Sequence, residues 1–288
     1  MQNSDIKDSL CRNAVEAIDN GDIAALTALL EANPQLVSKR LEVPTDGYFK
    51  HPYLLWFVAD NPIRHEKLPA NIVDITRLLI HFVKQHAMDS FELQRDYTLG
   101  LVATGRIPRE CGVQIALIDL LIDEGAKTGR VHGTLAHGNI EAAAHLIERG
   151  GELTLTAAVG LDRMNDVLRL LNTSTIADKQ VALVAASFFG KGEMIKLLLD
   201  HGVDVNAYIE NGDGFHSHAT ALHQAVYSGS LDCVKLLVDA GASLNAEDRI
   251  YHGTPLGWAM HMQTEENDET ARKKYAEIET FLLSKQQA

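Results

Sequence analysis

Cysteine is scarce in this chain of 288 residues: only three are present, Cys11, Cys111 and Cys233, far apart and odd in number. That excludes a disulfide framework and a paired-cysteine zinc knuckle, and it fits a reducing compartment. There is no run of 18 or more apolar residues, so no helix is expected to cross a bilayer. The first ten residues are polar and acidic and lack the basic start and apolar stretch of a secretory leader, so a cytoplasmic location is the expectation. Basic residues are also short, 26 Lys and Arg against 39 Asp and Glu, for a net charge of -13. No helical stretch gathers Lys and Arg into a phosphate-neutralising stripe, which argues against nucleic acid and favours a neutral or basic protein partner. Signatures of chemistry are missing too: no G-x-S-x-G, no P-loop, no G-x-G-x-x-G after a strand and no H-E-x-x-H. A non-catalytic protein without a cofactor is therefore expected.

What the chain does contain is repetition. Thr220-Ala221-Leu222-His223-Gln224-Ala225 is followed 34 residues on by Thr254-Pro255-Leu256-Gly257-Trp258-Ala259. A phrase recurring at that interval indicates a stacked array of small units. In the clearest unit a helix over 221–227 ends at Ser228-Gly229, where glycine can adopt the left-handed conformation that closes a helix. A second helix over 231–240 then places Leu231, Val234, Leu237 and Val238 on one face, and Gly241 stops it. The preceding unit matches it position by position, with Gly190 in the place of Gly229 and Met194 to Leu199 in the place of Cys233 to Val238.

These phrases resemble the ankyrin signature T-P-L-H-x-A, and Gly202-Val203-Asp204-Val205-Asn206 and Gly241-Ala242-Ser243-Leu244-Asn245 resemble the family turn G-A-D-V-N. The resemblance is specific from about Lys191 to Ala259 and weaker upstream, where the T-P-L-H phrase is absent. It implies an all-α solenoid of about eight helix pairs with a few β-hairpin fingers, serving as a protein-protein interaction scaffold that binds through finger tips and a concave groove. It also implies that His223 hydrogen-bonds backbone between neighbouring repeats. The expected organisation is a single solenoid over 1–288: an N-terminal capping pair over 1–38, divergent repeats with insertions over 39–128, short repeats over 129–180, regular repeats over 181–252, and a C-terminal capping pair over 253–288. A monomer is expected.

Spacing sharpens the picture. Gly125 to Gly150 is 25 residues and Gly150 to Gly202 is 52, whereas Gly202 to Gly241 is 39. Against a period of about 33, the middle units are short and the loop before Thr220 is long. Surplus loop residues in a solenoid collect on one face, commonly the binding face. The segment 39–69 holds four of the seven prolines (Pro44, Pro52, Pro62, Pro69) and the aromatics Tyr48, Phe49, Tyr53, Trp56 and Phe57. Its Asp46-Gly47 pair predicts a finger over 43–49, followed by a short helix over 53–60.

The candidate protein-binding residues lie on the two C-terminal fingers: Tyr208, Phe215, His216 and His218 on the long one, and Arg249, Ile250, Tyr251 and His252 on the next. Aromatics and arginine are the residue types that anchor interfaces. An alternative is a metal- or small-ligand site in these His-rich fingers, because an H-x-H on an extended strand places both imidazoles on one face, with His223, His252 and His261 as further donors. Asn211-Gly212-Asp213-Gly214 has part of a calcium-loop pattern but lacks the spaced ligands and closing Glu, and it reads as a loop tip.

Overall fold

The computed structural model describes residues 3–43, 46–210 and 214–287. The expected tip over 211–213 and part of the expected finger over 43–49, residues 44–45, lie outside the described residues. The chain divides into two compact units, Met1–Glu152 and Leu153–Ala288.

The first unit begins with the antiparallel helices α1 (Ser9–Asn20) and α2 (Ile23–Ala32). Asp8 starts α1 by accepting from the backbone N–H groups of Leu10 and Cys11 at 2.9 and 3.1 Å, leaving two fewer orphan donors at the helix start. Then come α3 (Ile72–His86), α4 (Met88–Thr104), the single-turn α5 (Arg106–Glu110), α6 (Gln114–Asp123), α7 (His132–Ala136) and α8 (Ile140–Glu148). Between α2 and α3 the proline-rich segment forms short 3-10 turns at Pro34–Val37, Gly47–Phe49 and Leu54–Ala59. Its aromatics cover the local core: Phe49, Tyr53, Trp56 and Phe57 are buried, and only Tyr48 stands out into solvent. Trp56 stacks on Tyr97 of α4 with ring centroids 4.0 Å apart.

An ion network holds the end of this segment. The buried Arg64 guanidinium donates to both carboxylate oxygens of Asp19 on α1, each at 2.9 Å, and to the carbonyl of Phe57 at 3.1 Å. Asp60, also buried, accepts from the backbone N–H groups of Arg64 (3.0 Å), His65 (3.3 Å) and Glu66 (3.1 Å). Each buried charge is thus paired and hydrogen-bonded, the condition under which burial is tolerated.

The second unit consists of the pairs α9 (Leu155–Gly160) and α10 (Met164–Leu171), α11 (Ile176–Phe188) and α12 (Gly192–Leu199), α13 (Ala221–Tyr227) and α14 (Leu231–Asp239), and α15 (Pro255–Glu265) and α16 (Glu269–Gln286). Thr154, Thr175, Thr220 and Thr254 stand at the N-caps of the first helices. Between α13 and α14, Gly229 has φ +68, a conformation that costs a residue with a Cβ about 1 kcal/mol or more. Apolar faces pack inward: Val226, Cys233, Val234 and Leu237 are each at most 1% exposed.

Two expectations are corrected. There are seven α-helical pairs among the described residues rather than eight, α5 lying between the two members of the α4/α6 pair. The short helix expected over 53–60 supplies no α-helical partner for α3, because that stretch is 3-10 helix and a long loop over 60–71 separates it from α3. No β-hairpin finger forms either, because no strand occurs among the described residues. The long loop does alternate, with Val203, Val205 and Ile209 buried and Asp204 and Asn206 exposed, but its backbone turns locally instead of pairing across the loop: Ala207 N donates to Asp204 O at 3.3 Å and Asn206 N to the Asp204 carboxylate at 2.9 Å. Side chains link neighbouring loops instead of a backbone ladder. Asn206 donates through Nδ2 to Gly241 O (3.0 Å) and accepts from Ser243 N (2.7 Å), and the Tyr208 hydroxyl donates to Glu247 O (2.6 Å).

Candidate functional site

The two loops that flank the α13/α14 pair in sequence, 200–220 and 240–254, carry the candidate residues, and Asp248 organises the second of them. Its side chain is fully buried and accepts four N–H donors: backbone N of Ile250 (3.0 Å), Tyr251 (2.7 Å) and Gly253 (2.9 Å), and Nε1 of Trp258 (3.0 Å). The loop closes on itself as Asp248 N donates to Gly253 O at 2.9 Å and His252, at φ +55, donates to Asp248 O at 3.1 Å. Gly253 is required by close approach: a Cβ there would lie 2.9 Å from Asp248 Oδ2 and 3.0 Å from the Trp258 ring. Burial by itself would raise the Asp248 carboxyl, but the four donors outweigh it and hold the group down at about 2.

The sign of the resulting pH dependence follows. A carboxyl held below its ordinary value of 3.8 contributes its stabilisation fully above that pH and loses it as pH falls through about 2. The Trp258 indole N–H resonance, bonded directly to Asp248, is expected to titrate with a midpoint near 2 rather than near 3.8. A midpoint at the ordinary carboxylate value would contradict the buried four-donor arrangement.

With the loop fixed, its side chains project. Ile250 is 59% exposed and Tyr251 76%, the highest exposure among the large apolar side chains of the described residues. Arg249 is exposed, with its guanidinium 4.3 Å above the Tyr208 ring, and its backbone N–H donates to His218 O at 2.8 Å. His252 faces Glu247, Nδ1 to Oε2 at 3.3 Å. Tyr251 also borders a groove of about 670 Å³ together with Tyr227, Trp258 and Met262. Three imidazoles, His216, His218 and His261, complete its polar lining. The rings meet edge to face: His216 lies 4.8 Å from Tyr227 and 5.7 Å from Trp258, and His218 lies 5.9 Å from Tyr251.

The structure therefore brings together His216, His218 and Tyr251, sets Tyr208 and Arg249 against each other on the loops, and leaves Ile250 and His252 at the surface. One candidate is corrected. Phe215 is 0% exposed and packs edge to face on Phe188 and Phe189, at 5.4 and 5.8 Å, so it is a core residue and not a surface anchor. Tyr227, Trp258 and Met262 belong to the groove although they sit on helices, where sequence reading gave them no surface role, and His261, read from the sequence as a further donor of a metal or ligand site, joins them there.

The histidines do not assemble as metal ligands: among the described residues no group of three or more His, Cys, Asp or Glu side chains converges on one point. His223 has both nitrogens engaged, Nδ1 with the Thr220 hydroxyl at 2.8 Å and Nε2 with Gly253 O at 3.0 Å. This is the backbone-bonding role that the resemblance implied, and burial pushes the His223 imidazole below its ordinary value. A second groove, of about 730 Å³ in the first unit, is bordered by Tyr48, Asn61, Tyr97 and Arg106. Its polar groups are already spent on one another: the Tyr48 hydroxyl donates to Asn61 Oδ1 (3.0 Å), Asn61 Nδ2 donates to Leu101 O (3.0 Å), and Arg106 pairs with Glu110 (2.8 Å).

Stacked antiparallel helix pairs, a histidine tying one unit to the next loop, and exposed side chains on the connecting loops define a helical-repeat protein. Residues 111–248 match the family model described as ankyrin repeats, in three copies. No curated protein matches the chain. Ankyrin repeats generally mediate protein-protein interactions and are generally non-catalytic. No helix among the described residues is long and apolar enough to cross a membrane.

Proposed function

We propose that this protein is a non-catalytic scaffold that holds a protein partner over the C-terminal loops, with Ile250 and Tyr251 as anchors and the groove floored by Trp258 as the receiving surface. One observation carries the reading: the most exposed large apolar side chain of the described residues sits on a loop pinned by four hydrogen bonds to one buried carboxylate. Nothing in the second unit needs Tyr251 for its own core. An exposed aromatic on a backbone held in one conformation has already lost part of the freedom that binding would otherwise remove, so its burial by a partner converts more fully into affinity. Ile250, 59% exposed and adjacent on the same loop, adds to the apolar surface.

The test is affinity capture from extracts of the source cells with the wild-type chain and with a Tyr251→Ala, Ile250→Ser double variant. Loss of two central anchors is expected to reduce partner recovery by about 30-fold or more, equivalent to 2 kcal/mol or more. The urea unfolding midpoint should be unchanged within the ~0.5 kcal/mol typical of exposed positions. Undiminished recovery with the double variant would move the interface elsewhere.

A further inference from the structure

The overall charge of -13 favours a neutral or basic partner, but the groove itself has a different chemistry. None of its lining residues is Asp or Glu, although the chain carries 39 of them, and none is Lys or Arg. Its polar groups are three imidazoles set among Tyr227, Tyr251 and Trp258. At physiological ionic strength charges are screened over about 8 Å, so the groups that line a groove outweigh the net charge of the surface beyond it.

Those imidazoles are not neutralised from within. His216 is oriented by Gln224: the amide Nε2 donates to His216 O at 3.1 Å, which turns Oε1 to accept from His216 Nδ1–H at 3.2 Å. In the neutral ring, Nε2 is then left as an acceptor, and it becomes a donor only when the ring takes up a proton. The ring nitrogens of His218 and His261 make no hydrogen bond among the described residues. The nearby charged groups are committed elsewhere. On the 240–254 loop Asp248 is saturated by its four donors, Glu247 pairs with His252, and Arg249 lies over Tyr208. On α13 both nitrogens of His223 are bonded. On α16, Glu279 accepts from Gln263 at 2.6 Å and the Lys274 stem lies over Gly229. Glu265, in the last turn of α15, and Glu210, on the long loop, are exposed.

We propose that the groove receives an acidic segment of a protein partner, an aromatic side chain flanked by Asp or Glu, with the ring seated against Trp258 and Tyr251 and the carboxylates met by the imidazoles of His216, His218 and His261. This rests on the interaction reading above and specifies its partner. A carboxylate stabilises the imidazolium form, so binding takes up protons and tightens as pH falls from 7.5 towards 6. Burial and the neighbouring His218 hold the free His216 ring below its ordinary value, and a carboxylate placed against the ring acts in the opposite direction.

Three blocked peptides test this on the full chain: acetyl-Glu-Phe-Glu-amide, acetyl-Gln-Phe-Gln-amide and acetyl-Lys-Phe-Lys-amide, followed by the Trp258 indole and imidazole NMR resonances. The acidic peptide is expected to bind about fivefold or more tighter than the other two at pH 6, and about fivefold tighter at pH 6 than at 7.5, as net uptake of about half a proton averaged over that range requires. In a His218→Gln, His261→Gln variant, both positions being at least partly exposed, the pH dependence should shrink while binding of the Gln peptide persists. Equal affinity for all three peptides, a pH-independent acidic peptide, or no shift of the groove resonances would each overturn the proposal. The scaffold reading fails separately, if the Tyr251→Ala, Ile250→Ser variant recovers its partner as well as wild type.

Discussion

Phe215→Ala is expected to destabilise the Leu153–Ala288 unit by about 3–5 kcal/mol, the range for emptying a buried phenylalanine site. The side chain is 0% exposed and closes against Phe188 and Phe189 of the α11 end, while Val203, Val205 and Ile209 from the same loop are each less than 10% exposed. Removing the ring withdraws an anchor that holds the long loop against its helices. Phe215→Leu, which keeps most of the volume, should cost markedly less. Tyr251→Ala, on the neighbouring loop, is expected to leave stability within about 0.5 kcal/mol because the ring is 76% exposed. Urea unfolding followed by Trp258 fluorescence in a Trp56→Phe background separates the two positions. Equal effects at 215 and 251 would place both residues in one environment, which the structure excludes.

Asp248→Ala is the second large effect, about 2–4 kcal/mol, because it leaves three loop N–H groups and an indole N–H without their acceptor. The loss is larger than a surface carboxylate would give, since this one is fully buried. Asp248→Asn should be intermediate: two donors converge on each carboxylate oxygen, so an amide keeps one pair and turns its own N–H groups against the other. The functional consequence separates this position from Phe215. Freeing 248–253 removes the fixed presentation of Ile250 and Tyr251, so partner recovery should fall for Asp248→Asn even where the helices remain folded by circular dichroism.

The helices of the C-terminal repeats were legible in the sequence because their signals are local. Thr220 and Gly229 bracket α13, and the spacing of Leu231, Val234 and Leu237 marks the inward face of α14. The loops were not legible, for a physical reason: a loop side chain is placed by bonds to distant residues rather than by any period. Phe215 looks like an exposed aromatic in sequence and is pulled inward by two phenylalanines at the end of α11. Arg64 finds Asp19 across 45 residues, a pairing no spacing rule reveals. Asp248 did carry a readable signal, an acid five residues before Gly253-Thr254-Pro255, in the position from which a short side chain can accept successive backbone N–H groups. Strand expectations failed because turns that resemble the family phrase are linked here by Asn206 and Tyr208 side chains instead of a backbone ladder.

The groove shows the same division. His216, His218 and Tyr251 were visible as loop residues in excess of structural need, whereas Tyr227 and Met262 read as ordinary helix positions. Only the path of the two loops over α13 and α15 decides which face of those helices is left open.

The central claim is that the Ile250-Tyr251 loop is where the partner sits. A photo-reactive phenylalanine analogue placed at position 251, and in a separate protein at position 168, tests it directly, because Leu168 on α10 is 50% exposed in the same unit but distant in sequence from the groove. After irradiation in the source cells, a discrete crosslinked adduct from position 251 and none from position 168 is the expected result. No adduct from 251, or the same adduct from 168 alone, would contradict the assignment.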